Sequence, residues 1–172
     1  IGREAMIRTV KERLASTNVR LLTLSGVAGT GKTRLALQVA ADMADEFEQG
    51  IYFVALAALR DPGLVIQRIA QAVGVREAAG EQLQDQLQDY LRENQMLLVL
   101  DNFEQVIDAA PRISLLLTAA PRLKVLVTSR EVLRLSGEVD CPVPPLSLPD
   151  PKRLPSLARF TQYEAVALFI ER

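Results

Sequence analysis

The sequence predicts an α/β protein with a doubly wound parallel sheet. Apolar runs of strand length alternate along the chain with segments of helical periodicity, which is the pattern of βα units. Two of these runs, 95–101 ("QMLLVLD") and 123–130 ("LKVLVTSR"), are continuously apolar up to a polar end, as strands buried on both faces are. With 172 residues, 49% of them hydrophobic and 24% charged, the chain can form one domain with a sizeable core. Ligands of such sheets bind at the carboxyl ends of the strands.

The first half of the chain contains two predicted strands and two predicted helices. A short amphipathic helix is expected within 6–17, followed by a buried strand in 18–26 ("NVRLLTLSG"). A second helix is predicted over 33–47. The next strand, 50–59 ("GIYFVALAAL"), begins at a glycine and ends before the turn pair Asp61-Pro62.

The second half continues the alternation until prolines interrupt it. Helical patterns cover 64–73 and 81–94, and another covers 103–121, where Pro111 is expected to kink the helix or split it in two. Six of the nine prolines then fall between Pro142 and Pro155. This density predicts an extended, Pro-rich segment over 135–160.

The residues 161–172 begin with a capping-box pattern and are helical in period, so we expect them to start a following helical subdomain. The chain starts at Ile1 and stops within that helical pattern. We therefore interpret 1–172 as a single domain taken from a longer protein.

Composition excludes several kinds of chemistry. The chain has no histidine, which removes Ser-His-Asp and Cys-His catalysis and every His-ligated metal site. One cysteine, Cys141, fits a structural thiol in a reducing compartment, and we expect a cytoplasmic protein. A net charge of −1 and eight Phe and Tyr residues give no basic surface for direct nucleic-acid binding by this domain. No signal or spanning segment is recognisable, so no membrane association is expected.

A phosphate-binding motif lies between the first strand and the second helix. "GVAGTGKT" (26–33) fits G-x-x-x-x-G-K-[ST] in the strand–loop–helix context that the motif requires. Lys32 is expected to contact the β and γ phosphates, and the Thr33 hydroxyl to ligate Mg²⁺. The alternative is a glycine-rich turn with a solvated lysine. The predicted nucleotide contacts are Gly26, Val27, Ala28, Gly29, Thr30, Gly31, Lys32, Thr33 and Arg34.

Polar residues end two further predicted strands. Asp101 ends "MLLVLD", where a carboxylate would hold the Mg²⁺ that Thr33 also ligates, directly or through water; the alternative is a helix N-cap. Thr128, Ser129 and Arg130 end the next strand, so their side chains are expected beside Asp101 and the γ-phosphate, which Arg130 is expected to contact. The alternative for Arg130 is a surface ion pair with Glu131 or Glu104.

The ordered series of motifs resembles one family along almost the whole chain. "GRE" (2–4), "LTLSGVAGTGKTRLALQVA", "LLVLDNFEQVIDAAP", "LKVLVTSREVLRLSGE" and "PVPPLSLPDP" follow one another as in the nucleotide-binding module of bacterial STAND proteins. The likeness is strongest to large transcriptional regulators of the LuxR and SARP types, which are related to the NB-ARC ATPases.

This resemblance implies an ASCE-type P-loop NTPase, a three-layer α/β/α sandwich with a five-stranded parallel sheet in the order 5-1-4-3-2. The fifth strand is expected within 139–146, at an edge because of its prolines. The resemblance also implies an ATP/ADP switch, with nucleotide-dependent self-association in the full-length protein. Gly2 and Arg3 are the implied contacts to adenine and ribose; alternatively, "GRE" only opens the first helix.

One departure from the family concerns hydrolysis. Many relatives follow the Asp101 position with a second acid that orients the attacking water, but this chain has Asn102, which leaves Glu104 as a substitute. We therefore expect slow ATP hydrolysis, and the main alternative is a nucleotide-binding scaffold that does not hydrolyse. A GTPase is disfavoured because "DNFE" stands where D-x-x-G is expected and "TSRE" where the guanine motif [NT]-K-x-D is expected. No segment suggests the substrate site or lid of a small-molecule kinase.

Overall fold

The computed structural model describes residues 3–77 and 82–145. The strands are β1 Leu21–Ser25, β2 Ile51–Ala55, β3 Leu97–Asp101, β4 Lys124–Ser129 and β5 Glu138–Pro142. The α-helices are α1 Glu4–Ala15, α2 Lys32–Asp42, α3 Val65–Val73, α4 Leu83–Glu93 and α5 Ala110–Ala119. Short 3₁₀ helices cover Ala44–Glu46, Pro62–Leu64 and Phe103–Ala109.

All five strands are parallel and lie in the order β2-β3-β4-β1-β5. This is the predicted order 5-1-4-3-2 counted from the other edge, so the prediction is confirmed. β3 pairs with β2 and β4 and not with β1. In register, Ser25 lies opposite both Ser129 and Pro142, and Ala55 lies opposite Asp101. The carboxyl ends of the strands therefore meet at one edge of the sheet.

Two hydrophobic cores, one on each face of the sheet, make the molecule three-layered. Leu98 and Leu100 pack toward α3, α4 and α5, whereas Leu97 and Val99 pack toward α1 and α2. Side chains of a strand alternate between faces, so a strand covered on both sides is apolar at every position. Each fully buried leucine contributes about 2 kcal/mol of hydrophobic free energy.

Two predicted helices end earlier than expected. The segment predicted as one helix over 103–121 is a 3₁₀ helix followed by α5, with Pro111 in the first turn of α5. Of the two expectations for Pro111, a kink or a split, the structure shows the split. Proline has no N–H to donate and fits the first turn of a helix. The helix predicted over 33–47 stops at Asp42 and is followed by the 3₁₀ turn Ala44–Glu46.

The edge strand β5 lies within the segment predicted to be extended and Pro-rich. It spans Glu138–Pro142, with Pro142 as its last residue, where the missing N–H costs no central ladder bond. The rest of 135–160 beyond residue 145, and the whole of 161–172, lie outside the described residues. Within the described ranges, no helix is both long and apolar enough to cross a membrane.

A carboxylate anchors the loop between β4 and β5. Glu138 accepts hydrogen bonds from the Thr23 hydroxyl (2.6 Å) and from the backbone N–H groups of Leu133 (2.9 Å) and Leu135 (3.3 Å). The side chain of Leu133 is buried in the hydrophobic core that faces α3, α4 and α5. The loop that follows Arg130 is therefore attached to β1, the strand that leads into the segment 26–31.

Candidate nucleotide-binding site

The polar residues of the predicted site come from three adjacent strands. β1 leads into the loop 26–31, β3 ends at Asp101, and β4, between them, ends at Thr128 and Ser129. Asp101, Thr128 and Ser129 are all buried. The sheet thus brings together side chains that are far apart in sequence.

The loop 26–31 requires glycine for two different reasons. Gly26 has φ = 147°, and a Cβ at this position would lie 2.7 Å from the carbonyl oxygen of Val143. Gly31 has the left-handed φ of 84° and is the N-cap of α2, with no side-chain capping bond. The first N–H groups of α2 are consequently left for an anion, which the helix dipole also favours.

The other residues of the loop differ in exposure. Thr30 is buried and donates its hydroxyl to the Val27 carbonyl at 3.1 Å, which closes the loop on itself. Val27, Ala28 and Gly29 are exposed at the tip, and Arg34 is exposed in the first turn of α2. The loop therefore offers its backbone to a ligand more than its side chains.

The Lys32 ammonium lies against the backbone of the loop 26–31. It is 8% exposed and donates to the carbonyl oxygens of Gly26 (2.7 Å) and Val27 (2.9 Å). Burial lowers the pKa of Lys32 from its ordinary value, Glu104 and Asp101 raise it, and Arg130 lowers it further. An ammonium has three N–H donors, so a phosphate oxygen can be added to the two carbonyls.

The Thr33 hydroxyl donates to Asp101 Oδ1 at 2.7 Å, and the Thr128 hydroxyl donates to the same oxygen at 2.7 Å. Thr128 in turn accepts from the backbone N–H of Asn102 at 3.0 Å. Asn102 adopts a left-handed conformation (φ 61°), which asparagine tolerates better than most residues. The chain of hydrogen bonds fixes the Asp101 carboxylate beside the phosphate loop.

This arrangement fits a magnesium ion. Mg²⁺ prefers oxygen ligands and is commonly held by one or two protein groups together with substrate phosphates and waters. Thr33 and Asp101 supply a hydroxyl and a carboxylate that already lie in contact next to the loop. These are the two ligands predicted from the sequence.

Arg130 and Glu104 form an ion pair at the same edge of the sheet. Arg130 Nε lies 3.2 Å from Glu104 Oε1; the arginine side chain is 59% exposed and the glutamate 10%. The sequence left open whether Arg130 faces a phosphate or pairs with Glu131 or Glu104, and the structure shows the pair with Glu104. The remaining donors of the guanidinium keep a γ-phosphate contact possible.

Arg3 lies near the loop, whereas Gly2 falls outside the described residues. The Arg3 guanidinium donates to the carbonyl oxygen of Pro144 at 2.7 Å and to the Met6 sulfur at 3.7 Å. The backbone N–H of the neighbouring Val143 donates to the carbonyl oxygen of Ser25 at 2.7 Å. The chain after β5 therefore lies between the start of α1 and the phosphate loop.

Thr128 lies beside Asp101, as its position at the end of an apolar strand predicts, and holds the carboxylate by a hydrogen bond. Sequence reasoning missed two other contributors to this site. Val143 packs on Gly26, and Glu138 anchors the loop after Arg130. No local pattern indicates either residue, because both act through contacts between distant segments.

The parallel sheet and the phosphate loop define a P-loop NTPase fold of the ASCE type. Cdc6p from Pyrobaculum aerophilum superposes with a TM-score of 0.65 at 17% identity, over 81% of this chain and 45% of that one. The Aeropyrum pernix ORC2 protein, solved in ADPNP–ADP complexes, gives a TM-score of 0.58 at 16% identity, over 82% and 48%. At these identities the likeness concerns the fold alone.

The family is shown by the sequence itself. Residues 3–146 match the model of the NB-ARC domain, and the chain belongs to this family of nucleotide-binding modules. A Mycobacterium tuberculosis protein described as a putative HTH-type transcriptional regulator is 40% identical over 154 residues, 89% of this chain and 16% of that protein. An uncharacterized protein of the same species is 37% identical over 100% of this chain and 40% of its own length. The chain thus spans well under half of these relatives.

Proposed function

We propose that this domain binds Mg-ATP and ADP and acts as the nucleotide-dependent switch of a signal-responsive transcriptional regulator. The single observation that carries the proposal is the 2.7 Å contact between Thr33 and Asp101. It joins the predicted phosphate loop to the acid at the end of β3, so both proposed magnesium ligands meet beside Lys32.

Each site residue has a distinct proposed role. The loop N–H groups surround the phosphates, Lys32 contacts the β and γ phosphates, and Arg130 contacts the γ-phosphate. Thr33 and Asp101 hold Mg²⁺, which neutralises phosphate charge when bound. Gly2 and Arg3 are proposed to contact adenine and ribose, as the resemblance to the family implies.

We propose that hydrolysis by this domain is slow. Phosphoryl transfer depends almost wholly on positioning and charge stabilisation, which includes orienting the attacking water. Asn102 cannot take a proton, and Glu104, the proposed substitute, is held by Arg130. This pairing also favours the alternative that the domain binds nucleotide without hydrolysing it.

The regulatory role rests on the relatives. One is described as a transcriptional regulator of the HTH type, and this chain corresponds to a small part of it. We propose that DNA binding belongs to another domain of a cytoplasmic protein, with 1–172 as its nucleotide-binding part and 161–172 as the start of the next subdomain. ATP in place of ADP would then permit self-association of the full-length protein.

Two measurements test the nucleotide assignment. Mass spectrometry of small molecules released from the purified chain should detect ADP or ATP, and calorimetry should give saturable binding of both, with ATP binding dependent on Mg²⁺. Excess GTP should compete poorly. A chain that binds no adenine nucleotide under these conditions would refute the proposal, and turnover of bound ATP separates the slow ATPase from the non-hydrolysing alternative.

A further inference from the structure

Glu104 is an unusually placed carboxylate. Its side chain is 10% exposed, and only Oε1 has an ionic partner, the Arg130 guanidinium at 3.2 Å. Among the described residues, Glu104 Oε2 is the one buried side-chain polar atom without a hydrogen-bond partner. A buried acceptor left unpaired costs free energy, so an ordinary structural role does not explain this position.

The backbone holds Glu104 firmly. It follows the left-handed Asn102 and lies in the first turn of the 3₁₀ helix Phe103–Ala109. Phe103 on one side is completely buried, and Val106 is 1% exposed. The carboxylate is thus carried by a segment that is part of the core.

Glu104 engages the arginine that is assigned to the γ-phosphate. Its Oε1 lies 3.2 Å from Arg130 Nε in the ion pair. A γ-phosphate brings negative charge to the same guanidinium. ADP has no γ-phosphate and leaves the ion pair undisturbed, whereas ATP must compete with it.

We propose that Glu104 is a specificity-determining residue that competes with the γ-phosphate for Arg130, and thereby shifts the domain toward ADP. This inference rests on the proposed function, since it assigns a nucleotide preference to the same site. A ligand shifts an equilibrium only by its differential affinity, and here the differential contact is the γ-phosphate. Removing the charge of Glu104 therefore favours ATP over ADP.

The test compares Glu104→Gln with the unmodified protein in calorimetric titrations with ADP and with a non-hydrolysable ATP analogue, both with Mg²⁺. The ratio of the two dissociation constants should move toward the ATP analogue by about twofold to fivefold, the range expected for a partly exposed ion pair. Glu131→Gln is the matched control, because it removes the same charge from an exposed residue next to Arg130. Its ratio should stay unchanged.

A double-mutant cycle with Arg130→Gln isolates the ion pair. In that background Glu104→Gln should shift the ratio less, because the pair is already absent. An unchanged ratio in Glu104→Gln, or a shift toward ADP, would overturn the inference while leaving nucleotide binding established. If the unmodified protein bound neither nucleotide, the proposed function itself would fail. Thermal unfolding of each variant verifies that the compared proteins are folded.

Discussion

The Thr33 hydroxyl donates a 2.7 Å hydrogen bond to Oδ1 of Asp101, which lies 68 positions later in the chain. The bond joins the first turn of α2 to the end of β3, although β1 and β3 are separated in the sheet by β4. The two proposed magnesium ligands are therefore oriented by the protein before a cation binds. Such preorganisation reduces the entropic cost of assembling a site.

Thr33→Ala should lose mainly the magnesium-dependent part of ATP binding. The substitution removes one cation ligand and leaves the loop N–H groups and Lys32 in place. ATP affinity measured in EDTA should change little, whereas the increase in affinity on adding Mg²⁺ should shrink. Thr33→Ser keeps the hydroxyl and should retain the increase; equal magnesium dependence in the alanine variant would exclude Thr33 as a ligand.

Substitution of Thr128 should also reduce the magnesium-dependent part of ATP binding, although Thr128 is not a proposed ligand of the cation. Its hydroxyl holds Asp101 Oδ1 at 2.7 Å and accepts from Asn102 N–H at 3.0 Å. Thr128→Val leaves the Asn102 N–H without its acceptor and leaves Asp101 Oδ1 with the Thr33 bond alone. This should cost about 1–3 kcal/mol in stability and weaken magnesium-dependent ATP binding. Thr128→Ser should restore both. A valine variant that is less stable but keeps its full response to Mg²⁺ would restrict Thr128 to a structural role.

Lys32→Ala should abolish or severely weaken nucleotide binding. Charge-assisted contacts contribute about 1.5–3 kcal/mol each, or about tenfold to more than a hundredfold in affinity. The fold should persist, because Lys32 bonds only to loop carbonyls. Lys11→Ala is a suitable control, since Lys11 forms a surface pair with Asp42 at 3.4 Å. Normal ATP binding by the Lys32 variant would refute the phosphate-loop assignment.

Gly26→Ala should be more damaging than Gly29→Ala. A Cβ on Gly26 would lie 2.7 Å from the Val143 carbonyl oxygen, which belongs to backbone and cannot swing aside, and φ is 147°. Gly29 has φ = 81° but open space around it, so alanine there costs only the left-handed strain of about 1–2 kcal/mol. Denaturant unfolding and ADP titration of both variants measure the difference. Equal effects would indicate that the Val143 contact is unimportant.

ATP turnover by the isolated domain should be much slower than once per second. The site has the loop, Asp101 and Arg130, but Asn102 stands where relatives have a second acid. An arginine supplied by a partner adds about 10³ to 10⁵ in rate in related enzymes, and an isolated monomer receives none. Asp101→Asn should remove residual activity, and Glu104→Gln should do so only if Glu104 orients the water. Many turnovers per second would show that the site is already complete.

The sequence by itself determined the class of fold and most of the binding loop. The alternation of apolar runs and helical periods predicted the βα order, because a strand that is buried on both faces is a nearly continuous run of apolar residues. The spacing of "GVAGTGKT" identified the phosphate loop, because glycine freedom and a following helix are properties of neighbouring residues. The strand order came from the resemblance and was confirmed by the pairing of β4 with both β1 and β3.

Only the tertiary structure decided which partners the site residues have. From the sequence, Arg130 could contact a phosphate or form an ion pair with Glu131 or Glu104. In the structure the 3₁₀ helix Phe103–Ala109 places Glu104 beside it, and the two residues form an ion pair. The tertiary structure also placed the Val143 carbonyl against Gly26 and the Thr128 hydroxyl against Asp101. These contacts join segments that are distant in sequence, and their geometry depends on strand register and helix position, which no local periodicity encodes.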